Sequence, residues 1–454
     1  MRRTTAIQAA LAALRRTSSR VGHVLGVCAV LLCGPALAMP EPPLTLGLQS
    51  TYIYQYQPGF NAPYSGPNSL LPGPAHGYSF SATGVLAARP WAGGEVYFEP
   101  ELVSSIPISN LTGLGGLTNG ENQKGGGVRP ELYVARAFLR QTWNLGGRSV
   151  KQVASLTQLP TTVDSRRLVL TAGNYAITDI FDTGNYSGDT RNTFLNWSFL
   201  TYGAWDYAAD VRGYTWGATL SFHDRNWAVR AGRFLEPVVS NGSSLDTRLL
   251  VNHGDQIEIE HDHELAGNPG FVKLLLYRNV ANMGSYSEAV DQALAAGGTP
   301  NLASTRRRRA KVGIGIHLEQ QVTPSLGVFA RLSKNDGGEE EYAFTEIDEQ
   351  AQAGLSLNGD AWQRPEDTWG LAYAINGLSP AHRTYLADGG LGNFLGDGKL
   401  DYGPEQVLES YYRYQVSHGW SLSADAQVIA NPGYNQARHG PVTFLGVRLH
   451  YQSF

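Results

Sequence analysis

The sequence contains two cysteines in 454 residues, Cys28 and Cys33, and both lie within the first 38. The remainder therefore offers no disulfide framework, no thiolate metal site and no cysteine nucleophile. It also lacks any predominantly apolar run of about eighteen residues, so no membrane-spanning helix is expected. Positive charge is short as well. Removing the five arginines of the first 38 residues from the 35 Lys and Arg leaves 30 against 39 Asp and Glu, a formal charge of −9, which disfavours a nucleic-acid partner.

The first residues read as an export signal. Arg2, Arg3, Arg15, Arg16 and Arg20 precede an apolar run at 24–33, and Ala36-Leu37-Ala38 supplies a small-residue cleavage pattern. The apolar run covers about ten residues, half of the roughly twenty that would cross a bilayer. The expectation is a cleaved signal peptide over 1–38 and one mature domain over 39–454. Lipid attachment at Cys33 is the weaker use of that residue, because Leu32 stands where a small side chain is wanted.

The mature sequence is a succession of short alternating segments divided by Gly, Asn, Asp and Pro clusters, the pattern of strands and turns. Tyr214, Trp216, Ala218, Leu220 and Phe222 alternate with Thr215, Gly217, Thr219, Ser221 and His223. Val312, Ile314, Ile316 and Leu318 alternate in the same way with Lys311, Gly313, Gly315, His317 and Glu319. Leu326, Val328, Ala330 and Leu332 oppose Gly327, Phe329, Arg331 and Ser333. Near the end, Leu422, Ala424, Ala426 and Val428 oppose Ser423, Asp425 and Gln427, and Leu445, Val447, Leu449 and Tyr451 oppose Gly446, Arg448 and His450. Short links such as Ser417-His418-Gly419 suit hairpins.

Alternation alone does not separate a soluble sandwich, whose apolar faces meet, from an outer-membrane barrel, whose apolar face meets lipid. The export signal, the cysteine-free mature chain and aromatics near strand ends (Tyr412, Tyr414, Trp420, Tyr451) favour the barrel. At about ten residues per strand plus turns and loops, such a chain suits an even strand number near sixteen, with fourteen and eighteen also compatible. The fold expected is all-β, a transmembrane antiparallel barrel. Residues 58–76, 106–128 and 284–305 read as loops, one of them folding inward, with a helical piece at 287–296. The run Arg306 to Arg309 reads as a charged strand end at headgroup level. Phe454 is aromatic but out of phase with Leu449 and Tyr451, so a slip or bulge is expected before it.

Several segments carry a family resemblance. AFLRQTW at 137–143, TAGNYAITDIFDTGNYSGDTRNTFLNWSF at 171–199, GAWDYAADVRGYTWG at 203–217 and AVRAGRFLEP at 228–237 resemble the carbohydrate-selective (OprB-like) porin family. YAFTEID at 342–348, DGKLDYGPEQVLESYYRY at 397–414 and ADAQVIANPGYN at 424–435 are similar to the same family. The resemblance implies a sixteen-stranded outer-membrane barrel of a Gram-negative bacterium. Monosaccharides and short oligosaccharides would diffuse through it into the periplasm without cofactor or energy source. Its other partners would be outer-membrane lipid and the barrel-assembly machinery; the resemblance is compatible with monomer and trimer, of which the monomer is favoured.

A sugar pore needs hydrogen-bond partners for hydroxyls and flat apolar surfaces for rings, with binding weak enough for release. By strand phase, Arg136, Arg140, Arg230, Arg331, Arg413 and Arg448 lie on polar faces. Asp179, Asp182, Asp206, Glu236 and Glu409 are the acidic candidates, and Trp197 and Tyr411 are candidates for ring stacking. Each such charge taken singly is more simply a rung that stiffens the wall.

Other chemistries are weaker. The Asp179 and Asp182 carboxylates permit a glycosidase reading, as one form of a barrel enzyme acting on lipid or glycan. His253, His261 and His263, with Asp255, Glu258, Glu260 and Asp262 nearby, permit a metal reading, but a charged, solvated loop or hairpin explains them more simply. The glycines of LGGLTNG at 114–120 lack the Lys and Ser/Thr of a phosphate loop, and no serine sits in a nucleophile elbow. A soluble exported carbohydrate-binding β-protein is the remaining alternative, and it would not need detergent for extraction.

Overall fold

The computed structural model describes residues 44–344 and 346–454; the predicted signal segment and cleavage point lie outside them. Sixteen strands close into one antiparallel barrel. In chain order they are β1 (Thr45–Gln57), β2 (Ala75–Trp91), β3 (Gly94–Ile106), β4 (Glu131–Asn144), β7 (Arg167–Tyr175), β8 (Thr215–Asp224), β9 (Trp227–Phe234) and β10 (His253–Leu265), followed by β11 (Asn268–Met283), β12 (Arg307–Gln321), β13 (Leu326–Asn335), β14 (Glu349–Gly359), β15 (Arg364–Gly377), β16 (Glu405–Ser417), β17 (Trp420–Ala430) and β18 (Val442–Gln452). The short β5 (Ser149–Gln152) and β6 (Thr161–Asp164) form a separate hairpin inserted between β4 and β7. Each barrel strand pairs with its chain neighbour, and β1 pairs with β18 from Gln49↔Gln452 to Tyr56↔Leu445, which leaves no open edge.

The alternation read from the sequence is present with its burial inverted relative to a soluble protein. Val312, Ile314, Ile316 and Leu318 are 39–47% exposed, while Lys311, His317 and Glu319 between them are at most 2% exposed. Leu445, Val447 and Leu449 face out, and Arg448 and His450 face in. Arg331, Arg438 and Arg448 rank among the largest fully buried side chains. In water that arrangement would expose a continuous apolar wall, far larger than the patches monomeric soluble proteins tolerate. In a bilayer it puts every outward aliphatic into hydrocarbon and gives each strand's backbone groups to its neighbours.

The two ends differ. At one, tight turns such as Arg225-Asn226, Ala266-Gly267 and His418-Gly419 join the strands, and aromatics face outward: Trp227 is 52% exposed, and Trp420 packs 4.8 Å from Tyr451. At the other, long connections carry the helices α1 (Tyr286–Ala296) and α2 (Pro380–Ala387). The helical piece expected at 287–296 is thus present one residue earlier. Short turns are periplasmic and long loops extracellular in outer-membrane barrels.

Two local expectations are corrected and a third is narrowed. Tyr214 precedes β8 and is buried among Tyr133, Ala135 and Ala176 rather than continuing the outward row of Trp216. No slip precedes the terminal aromatic: the Ser453 amide bonds the Leu48 carbonyl at 3.0 Å, and Phe454 keeps the inward parity of Arg448 and His450, packing on Gly47. His253, His261 and His263 lie on β10, which pairs with β11 as a hairpin, so of the loop and the hairpin it is the hairpin that forms; His261 stacks 4.2 Å from Trp227 at the short-turn end, and His253 is buried at the other.

The outward face sets a stability test. Val447→Arg places a guanidinium in the apolar band and is expected to cost about 2–4 kcal/mol in reversible guanidinium unfolding from lipid vesicles. A cost near zero would show that this face does not meet hydrocarbon.

Candidate functional site

The lumen is filled from the extracellular end by the 39-residue connection between β7 and β8, residues 176–214. The sequence reading expected an inward fold from one of three other segments. Of those, the 107–130 connection does enter, burying Leu114, Leu117, Asn119 and Glu121, and packs beside 176–214. Phe181, Phe194, Phe199, Tyr202 and Ala208 of the longer loop are at most 1% exposed.

A loop with little regular structure brings peptide groups that must find partners inside the barrel. The strands supply them. Glu409 accepts the Leu195 and Asn196 amides at 2.5 and 3.0 Å, Glu319 the Asn185 amide at 2.8 Å, and Glu258 the Asp182 amide at 2.7 Å. Arg448 donates to the Thr190 and Thr193 carbonyls at 2.8 and 2.7 Å, and Gln350 and Gln352 donate to those of Ser198 and Thr201. Inward glycines make room for loop rings: a Cβ on Gly315 would lie 2.6 Å from the Tyr202 ring.

Charged side chains complete the fastening. Asp182 receives Arg331 at 3.0 Å and His317 at 2.7 Å. Although burial opposes its ionisation, Arg331 and then His317 hold the Asp182 carboxyl well below the usual carboxylate range. Asp206 accepts the Tyr342 and Ala343 amides at 2.9 and 2.6 Å and faces Lys311 at 3.5 Å, which joins the loop to the 336–348 connection.

Between the fastened loops and the wall of β1 and β4 lies a cavity of about 330 Å³, inside the range of about 300–1,000 Å³ typical of small-molecule sites. On one side Arg136 grips Asp179 through two bonds of 2.7 Å and also reaches Glu99 at 2.9 Å. Nearby, Arg191 donates to Glu121 at 3.0 Å and Glu101 at 2.8 Å, and Lys124 meets Glu121 at 3.1 Å. Burial alone would raise the Glu121 carboxyl, but Arg191 and then Lys124 outweigh it and bring it down to about 2. On another side Phe344 is sandwiched by Trp197 and Tyr207, with ring centroids 4.7 and 4.6 Å away. Leu156 and Thr157 of the β5–β6 hairpin and Phe454 also border the cavity.

Of the residues singled out in the sequence, Arg136, Asp179 and Trp197 border this cavity. Arg140 holds the inserted hairpin, bonding the Thr157 carbonyl at 2.8 Å and Gln158 at 3.0 Å, with Glu95 at 3.3 Å. Arg230 sits between Glu258 and Glu260 at 2.8 and 2.5 Å. Tyr411 is buried edge-on against Phe194 at 4.9 Å, and Arg413 bonds Thr368 at 3.2 Å. Glu236 is fully buried with neither carboxylate oxygen hydrogen-bonded, and burial and then Asp206 hold its carboxyl well above the usual range. Asp182, Asp206, Arg331, Glu409 and Arg448 fasten loops, as described. The Asp179 and Asp182 pair is divided, one carboxylate going to Arg136 and the other to Arg331 and His317, so it is not poised as two cooperating acids. Among the described residues no group of three His, Asp or Glu is arranged to hold a metal ion.

Strand phase could not reach Arg191, Glu121, Lys124, Tyr207 or Phe344, which come from loops. For Arg191 and Tyr207 the usable signal was their place in the family-like segments 171–199 and 203–217, and for Phe344 that in 342–348; Glu121 and Lys124 lie outside all of them.

A family model for the carbohydrate-selective porin, OprB family, matches residues 86–452. Among solved structures, the high-pH structure of Pseudomonas putida OprB is similar with a TM-score of 0.66 and 15% identity, covering 91% of this chain and 94% of that one. The low-pH structure of the same protein gives a TM-score of 0.49 at 13% identity, covering 90% and 92%. Pseudomonas aeruginosa OccK2 (OpdF) gives 0.45 at 10% identity, covering 90% and 97%. No curated protein matched the sequence significantly.

The fastening of the loop has a pH consequence. A carboxylate whose folded value is depressed contributes stability that is present above its unfolded value, about 4.3 for Glu, and is lost as pH falls through the folded value. The Glu121 contacts should therefore persist at pH 4 and loosen only as pH approaches 2. Protection of the 107–130 connection from limited proteolysis is expected to hold from pH 7 to 4 and to fall below about 3; loss of protection near pH 5 would contradict this assignment.

Proposed function

The chain belongs to the carbohydrate-selective porin, OprB family, and from that membership we infer how its interior selects what passes. The protein is an outer-membrane porin through which carbohydrates diffuse passively into the periplasm. Within that function, the proposed selecting element is the cavity between the inward loops and the wall. Arg136 and Asp179 offer donors and acceptors to sugar hydroxyls, as do Arg191 and Glu121, and the Trp197–Phe344–Tyr207 stack offers an apolar face. The observation that carries this reading is their convergence on one cavity inside a wall that otherwise fastens loops.

The cations and anions there are paired side by side, so a neutral polyol can exchange hydrogen bonds with both at little cost, whereas a charged solute must compete with an existing ion pair. Mono- and short oligosaccharides are the proposed solutes. The proposed working unit is the monomer. The proposed role is passage without chemical change: Asp179 and Asp182 are committed to separate cationic partners.

Liposome swelling in isotonic glucose, maltose and a charged solute of similar size tests the function. Faster swelling in glucose than in maltose, and in sugar than in the charged solute, is expected. No swelling from protein shown to be folded and inserted would overturn the pore. Arg136→Ala, which leaves Asp179 without its cationic partner in the cavity, is expected to alter the ratio of glucose to charged-solute flux several-fold, and an unchanged ratio would remove Arg136 from the selecting set.

A further inference from the structure

The outer wall carries a feature that sugar passage does not use. Between β12 and β15, toward the long-loop end, the outward face hollows into a groove of about 610 Å³. Its floor is aliphatic: Ile314, Ile316, Leu332 and Ile375 line it, each at least 39% exposed. Its rim is charged. Lys334 on β13 and Arg383 on α2 both reach Glu349 on β14, at 3.3 and 3.4 Å, so two cations share one carboxylate. Arg383 also lies 3.7 Å over the ring of Tyr402, another lining residue.

The same imbalance recurs beside the groove. Arg233 on β9 and Arg278 on β11 stand in register on either side of Asp255 on β10. Arg233 holds that carboxylate through bonds of 2.7 and 2.8 Å, and Arg278 is exposed on the outward face. On β1, at the same end of the barrel, the outward positions are instead Tyr52, Tyr54 and Tyr56. Along this end of the arc from β9 to β15 the outward cations Arg233, Arg278, Arg308, Lys334 and Arg383 outnumber the carboxylates Asp255, Glu349 and Asp336, the last exposed two residues beyond Lys334.

Charges on a lipid-facing surface are expensive unless something there answers them. At the extracellular end of the barrel that surface meets the headgroups of the outer leaflet, and lysine and arginine in excess of carboxylate complement phosphate. An aliphatic channel running down from such a rim complements an acyl chain. We propose that the groove seats a phosphorylated, acylated glycolipid of the outer leaflet, one acyl chain on the aliphatic floor and a phosphate between Lys334 and Arg383. The inference rests on the outer-membrane reading of the barrel and adds to it a specific lipid site.

The test uses the full-length barrel purified in detergent, with diphosphorylated lipid A as the probe and bound lipid counted by native mass spectrometry. The double variant Lys334→Gln/Arg383→Gln removes the rim cations and is expected to weaken binding roughly thirty-fold, from about 1 kcal/mol for each cation. Ala351→Trp, an outward position on the groove lining, fills the floor without touching charge and should weaken binding too. Dephosphorylated lipid A should bind the unaltered protein as weakly as the diphosphorylated form binds the double variant. Equal binding by the unaltered protein and both variants, or no preference for the phosphorylated lipid, would overturn the site. Sugar-driven swelling is expected to be the same in all three proteins. Because lipid binding is read without flux, loss of swelling in the unaltered protein would count against the porin reading and leave the lipid result standing on its own.

Discussion

Everything in the lumen depends on satisfying the peptide groups of the long 176–214 connection inside a barrel. An open barrel of this size would be a wide aqueous channel; a loop folded into it narrows the route but carries amides and carbonyls that cannot be left unpaired when buried. The wall solves this with side chains of opposite character on facing strands. Carboxylates at Glu258, Glu319 and Glu409 take loop amides, and Arg448, Gln350 and Gln352 take loop carbonyls. This accounts for a protein whose interior is rich in charge and whose exterior is aliphatic. Many of the inward charges are structural fastenings, and a smaller set borders the cavity proposed to select.

That division explains what the sequence disclosed and what it withheld. Strand phase has a period of two and a single meaning along each strand, so Ile314 against Lys311 or Leu449 against Arg448 could be placed outward and inward from the sequence alone. Closure into sixteen strands followed from length and family resemblance. Phase ends where the strand ends. Tyr214, one residue before β8, already belongs to the inward loop, and Trp197 and Asp206 could be chosen only by residue type. For the same reason Arg191 and Phe344 escaped notice although they border the cavity, while Arg448 and Glu409, correctly placed on the inward face, turn out to hold backbone and not to border it.

The terminal aromatic shows a different limit. Parity put Phe454 on the inward face, and the expectation of a slip came from the habit of barrels ending on an outward aromatic. The parity was the better guide: Phe454 stays inward, packs on Gly47 and borders the cavity with Leu156 and Thr157 of the inserted hairpin. The periplasmic side of the cavity proposed to select is thus built from Phe454 and an insertion between β4 and β7.

The central claim is that the fastened loop, and not the barrel wall by itself, sets what passes. Single-channel conductance and sugar-driven swelling of an Arg331→Ala/Glu409→Ala variant test it most directly, since these two side chains hold the loop at separate points. Larger conductance and a smaller difference between glucose and maltose are expected. If limited proteolysis shows the 176–214 segment released while conductance and the glucose-to-maltose ratio stay at their original values, the loop is not the selecting element.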